Sequence, residues 1–91
     1  MAVAVHIPVP LRVYCDGARE LEVEAATVQG ALHQLRERYP AVYLGVCDET
    51  GAVRRHINLF VNQTLVRRPD GLETPLSAGD MLLVLPAVSG G

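Results

Sequence analysis

RRPDGLETPLSAGDMLLVL, residues 67–85, decides how the rest of the chain is arranged. Two turn signals punctuate it, Pro69-Asp70-Gly71 and Ala78-Gly79-Asp80, with Pro75 between them. Proline lacks a backbone donor and clashes with a preceding helical turn, so no long helix fits between Arg67 and Asp80. Met81 to Leu85 then read as a strand with apolar residues on both faces. The run breaks at Pro86 and the chain continues through AVSGG, residues 87–91.

Upstream, HINLFVN (56–62) alternates, with Ile57, Leu59 and Val61 on one face and Asn58, Phe60 and Asn62 on the other. TVQGALHQLRERYP (27–40) has helical spacing: Val28, Ala31, Leu32, Leu35 and Tyr39 form one stripe, Thr27 caps the start and Pro40 stops it. Between these, YPAVYLGVCDETGAVRR (39–55) reads as a connector with a turn at Glu49 to Gly51. At the start of the chain, Val3, Val5 and Ile7 alternate with Ala4 and His6, until Pro8 and Pro10 end regular pairing. An Asp16-Gly17 turn signal follows, and Leu21 and Val23 then alternate with Glu20, Glu22 and Glu24, predicting a hairpin with one wet face. The order is strand, strand, helix, strand, short pieces, strand. An α+β fold accommodates it, with a mixed sheet packed on one main helix as in the β-grasp arrangement of ubiquitin. A split βαβ, ferredoxin-like fold needs a second long helix, which residues 67–80 exclude.

Composition narrows the function. Ninety-one residues predict one domain, with its body over 1–86 and a flexible tail over 87–91. A net charge of −2 argues against a nucleic-acid binder. No stretch approaches the roughly 20 apolar residues of a membrane span, and no signal peptide is recognisable, so the expected location is cytoplasmic. Cys15 and Cys47 have no metal-ligand spacing and read as free thiols. His6, His33 and His56 are well separated, and no base and nucleophile pair stands out, so the chain is not read as an enzyme. Arg54-Arg55 and Arg67-Arg68 read either as solvated loops or as a match for an acidic partner surface, and the chain contains no lysine. Hydrophobic residues make up 49% and the mean hydropathy is +0.22, high for so small a domain. Some apolar surface is therefore expected to face outward, towards a partner.

VNQTLV (61–66), PLSAGD (75–80) and LPAVSGG (85–91) resemble the ubiquitin-like sulfur carriers of the MoaD/ThiS family. The family includes the small subunit of molybdopterin synthase and the carriers of the thiamine and cysteine pathways. NQTLV is most similar to the molybdopterin synthase subunit. The long connector, INLFVN and LPAVSGG are more similar to the cysteine-pathway (CysO-type) carrier, towards which the resemblance leans; the thiamine-pathway type is usually shorter.

The resemblance implies a chemistry for the tail. An E1-like adenylyltransferase and sulfurtransferase, using ATP and Mg²⁺, would adenylate the Gly91 carboxylate and convert it to a thiocarboxylate, with no cofactor bound to the carrier itself. Val88, Ser89 and Gly90 would thread the partner's channel, where the missing Cβ of glycine leaves room. The sulfur acceptor would be a PLP-dependent cysteine synthase-like enzyme, with a JAMM-type metalloprotease trimming the product, or the large subunit of molybdopterin synthase. A ubiquitin-like protein modifier is the further alternative. The face holding Leu82 and Val84 is assigned inward, which leaves Phe60, Leu83 and Leu85 outward with Leu65 nearby, as the surface that meets partners.

Overall fold

The computed structural model describes residues 2–66 and 70–86. Five strands form one sheet: β1 (Ala2–His6), β2 (Glu20–Glu24), β3 (Ile57–Val61), β4 (Thr64–Leu65) and β5 (Met81–Pro86). Their spatial order is β2-β1-β5-β3-β4. The two central strands, β1 and β5, run parallel, and the other neighbours are antiparallel. Helix α1 (Val28–Arg38) packs on one face of this mixed sheet, which is the expected β-grasp arrangement.

The alternation in the sequence sorts the faces as predicted. Val3, Val5, Ile7, Leu21, Val23, Ile57, Leu59, Leu82 and Val84 are buried, and they meet the α1 stripe of Val28, Ala31, Leu32 and Leu35. Glu20, Glu22 and Glu24 stay exposed along the β2 edge, where carboxylates discourage pairing with another chain. The helix begins as expected, with the Gly30 N–H donating to Thr27 Oγ1 at 3.0 Å. The turn-rich segment is tied to that same end: the Val28 N–H donates to the Thr74 carbonyl and the Leu76 N–H to the Ala26 carbonyl. Leu76 is thereby driven into the core.

The connector over 39–55 requires a correction. Pro40 ends α1, but it also begins a second helix, α2 (Pro40–Val46). The first helical position needs no N–H, and proline's φ suits it, so one residue serves as both stop and start. Val42 and Val46 of α2 are fully buried. The proline-bounded segment after β1 is likewise ordered, as a 3-10 helix over Val9–Cys15 that ends with Asp16 at φ 56°. The predicted turn near Gly51 is present, with the Gly51 N–H bonded to the Asp48 carbonyl and φ at 89°.

Candidate docking face and tail root

The face of the sheet opposite α1 carries the predicted partner residues, three of the four in one cross-strand row. Leu65 of β4 pairs with Phe60 of β3, and Phe60 pairs with Leu83 of β5. The row continues through His6 of β1 to Glu20 of β2. It therefore grades from apolar at the β4 side to acidic at the β2 edge. Leu65 is 50% exposed and Leu85, opposite Asn58, is 36% exposed, while Phe60 and Leu83 are half-buried. The inward assignment of Leu82 and Val84 holds, since both are fully buried. Cross-strand neighbours stand about 5 Å apart, so Leu65, Phe60 and Leu83 form a continuous apolar band.

β5 ends at Pro86, opposite Ile57 at the start of β3. The central position of β5 means that the chain leaves the sheet between its neighbours rather than at an edge. Val88, Ser89, Gly90 and Gly91 lie outside the described residues. Three residues separate Leu83 from Pro86, roughly 10 Å of strand, so the apolar band lies close to the tail root.

The two internal motifs turn out to hold each other. Asn62 sits at φ 56°, in the left-handed region, at the β3–β4 turn. Its Nδ2 donates to Asp80 Oδ1 at 3.2 Å, and the Met81 N–H donates to its Oδ1 at 3.1 Å. Asp80 Oδ2 in turn accepts from the Ser77 N–H at 2.8 Å. The Ser77 bond, then the Asn62 amide, hold the Asp80 carboxyl below the usual aspartate range. Asn62 of VNQTLV and Asp80 of PLSAGD thus clasp the start of β5, and their part in the site is to seat the strand that carries the tail.

Neither thiol belongs to the docking face. Cys15 and Cys47 are free and buried, and burial pushes the Cys47 thiol up, away from the reactive thiolate. His33 and His56 are exposed and far apart in the chain, and His6 lies in the outward row. Among the described residues no cluster of His, Cys, Asp or Glu has the makings of a metal site, and no helix is long and apolar enough to cross a membrane.

The sequence reading missed a second exposed apolar region. Val9, Val13 and Tyr14 of the 3-10 helix and Leu44 of α2 are all at least half exposed or nearly so. The signal was available in PVPLRVY, residues 8–14, where Val9, Leu11, Val13 and Tyr14 crowd a stretch whose prolines exclude a strand ladder that could bury them.

Comparison with known proteins places this geometry. The sequence pattern of the ThiS family matches residues 12–91. The chain is 32% identical to the sulfur carrier protein CysO of Mycobacterium tuberculosis, over all of both chains. The fold matches a chain in the crystal structure of the Amycolatopsis orientalis BexX/CysO complex with a TM-score of 0.84, at 36% identity over 98% of this chain and 99% of that one. It matches small archaeal modifier protein 1 from Methanosarcina acetivorans with a TM-score of 0.80, at 32% identity over 99% and 96% of the two chains. With the family pattern matched over residues 12–91 and the whole chain alike to such relatives in sequence and fold, the chain belongs to the ThiS family, within the ThiS/MoaD group of ubiquitin-like proteins.

Proposed function

We propose that this protein is a sulfur carrier whose Gly91 carboxylate is adenylated and then converted to a thiocarboxylate. One observation carries the reading: the last described strand is central, and it ends beside a half-exposed apolar band made by Leu65, Phe60 and Leu83. The body thus offers a docking surface next to the segment that must reach into a partner. Kinship along the whole chain with a protein named as a sulfur carrier supports the same reading.

A carboxylate is a poor electrophile, so the chemistry needs activation. The carboxylate oxygen attacks the α-phosphorus of ATP on an E1-like enzyme, forming the acyl-adenylate and releasing pyrophosphate. A persulfide from the sulfurtransferase attacks the acyl carbon and expels AMP, leaving an acyl disulfide. A thiol then cleaves the S–S bond, and the thiocarboxylate leaves with the electron pair. It is a covalently held sulfur nucleophile. The carrier's contribution is docking and reach. Five residues beyond Pro86 extend at most roughly 17 Å. Ordering each costs about 1–2 kcal/mol, so the body must supply the binding energy.

The likeness to CysO favours a biosynthetic acceptor of the cysteine synthase-like, PLP-dependent class, with a JAMM-type metalloprotease releasing the product. The likeness to small archaeal modifier protein 1 favours a second reading, in which the same activated terminus is attacked by a lysine amine of another protein. Intact mass after incubation with the cognate adenylating enzyme, ATP and a sulfur source separates the two. Exchange of one oxygen for sulfur in the last peptide supports the carrier, and adducts on lysines of other proteins support the modifier. Removing Gly90 and Gly91 should abolish either product while leaving thermal unfolding nearly unchanged. An unaltered carboxylate in an active cognate system overturns both.

A further inference from the structure

We infer that the apolar groove between the 3-10 helix Val9–Cys15 and α2 is a second docking surface for the adenylating enzyme, whose channel mouth closes over the tail root from both sides. The inference rests on the carrier reading above. The groove has a volume of about 310 Å³ and is lined by Leu11, Tyr14, Ala41, Leu44 and Gly45. Its lining has no charged side chain, and its one ionisable side chain is Tyr14. Beside it, Val13 is 75% exposed and Val9 69%. These two are more exposed than Leu65 or Leu85 of the sheet face.

The groove is built rather than frayed. Leu11 lies directly against Gly45, where an added Cβ would stand 2.9 Å from Leu11 Cδ1. Arg12 Nε donates to the Ile7 carbonyl at 2.9 Å, and the Gly17 N–H donates to the Arg12 carbonyl at 2.7 Å. The exposed valines are therefore displayed from a backbone pinned at both ends. An apolar surface held in one conformation loses little entropy when a partner covers it.

Its position identifies the occupant. β1 and β5 run parallel with His6 beside Leu83. Three residues on from that pair, the backbone leaving β1 reaches Val9 and β5 reaches Pro86. The 3-10 helix thus starts at the end of the sheet where residues 87–91 depart. Those five residues reach at most roughly 17 Å, so an enzyme acting on Gly91 has its reacting atoms within that distance of Pro86. A specific interface takes about 800 Å² from each partner, a disc roughly 30 Å across. The body measures 35 × 29 × 25 Å. An interface of that size centred on the tail root cannot stop at Leu85. It continues around the end of the sheet onto Val9, Val13 and the groove.

The fitting partner surface is apolar, with a side chain that enters the groove against Leu11 and Leu44. Titration calorimetry with the cognate adenylating enzyme tests this, using Val13→Glu, Leu44→Glu and Leu65→Arg, each checked by circular dichroism. Val13→Glu is expected to weaken binding at least tenfold with unchanged melting, and combining it with Leu65→Arg to weaken it further than either alone. Leu44→Glu probes the opposite wall and should do the same, so that misfolding of one variant leaves the other decisive. Wild-type affinity in a folded Val13→Glu or Leu44→Glu, alongside weakened Leu65→Arg, overturns the inference and leaves the carrier reading intact. Failure of the wild-type protein to be adenylated overturns the carrier reading itself.

Discussion

Replacing Leu65 by Arg tests the outward sheet face through a residue that folding needs little. Leu65 is 50% exposed in the free protein, at the end of the two-residue strand β4. Full burial of a leucine side chain contributes about 1.5–3 kcal/mol, so the half still exposed leaves roughly 0.8–1.5 kcal/mol to be gained on docking. Arginine removes that gain and adds a charge whose registered neighbours, Phe60 and then Leu83, offer it no carboxylate. Desolvating an unpaired guanidinium costs further free energy. The sum exceeds the 1.4 kcal/mol that corresponds to tenfold in affinity. In the free protein the long arginine stem still covers Phe60 while its head stays in water. Loss of stability should therefore stay below about 1 kcal/mol, a shift of no more than 4–8 °C in melting temperature. Calorimetric titration against the adenylating enzyme, with melting followed by circular dichroism, reads both quantities. Unchanged affinity in a folded variant would refute the placement of the docking face. An unfolded variant would show that β4 carries more of the core than its exposure implies.

The clasp between the two motifs gives a stability prediction. Asn62→Ala removes two side-chain hydrogen bonds and puts a Cβ-bearing residue without a local partner at φ 56°, whereas Asn62→Gly removes only the bonds. Urea unfolding should find the alanine variant less stable than the glycine variant by about 1 kcal/mol; equal midpoints would mean that the backbone there is unstrained. Acid should weaken the fold through Asp80, held low first by the Ser77 N–H, and Asp48, held low first by the Thr50 hydroxyl. A depressed carboxyl stabilises the native state above the ordinary aspartate value near 3.9, and that contribution fades as pH falls through the lower folded value. The stability gap between wild type and Asp80→Asn should accordingly shrink on acidification, and a gap constant from neutral pH to about pH 3 would contradict the assignment.

How much of this was legible in the sequence depended on whether a residue had one local role or two. Val3, Leu21, Leu59 and Val84 were read correctly because alternation leaves a strand residue only two directions, and burial chooses between them. Pro40 was misread because proline is both a helix stop and a favoured first helical residue, and only the packing of Val42 and Val46 decides that a second helix follows. The 3-10 helix was hidden for a similar reason. Pro8 and Pro10 forbid a strand ladder but are compatible with a tight turn that Leu11 and Gly45 then lock against α2. The site divides the same way. Phe60, Leu83 and Leu85 could be placed outward by alternation, and Leu65 beside them by its closeness in sequence to Phe60. The joining of Asn62 to Asp80 across 18 residues could not, because it arises from the register between β3 and β5.

The parallel pairing of β1 with β5 also bears on how the protein is made. β1 waits for β5, because its central neighbour is encoded some seventy residues later in the chain. Contacts of such long sequence separation close slowly and late. Until β5 emerges, β1 and β2 can form only a two-stranded ribbon, which is marginal in water. A nascent chain interrupted between β3 and Met81 thus lacks the middle of its sheet, and exposes Val3, Val5 and Leu59 to proteolysis. The strand that completes the core is the one that delivers the terminus. Prematurely ended copies would be cleared as unfolded protein before they could occupy a partner as tail-less decoys.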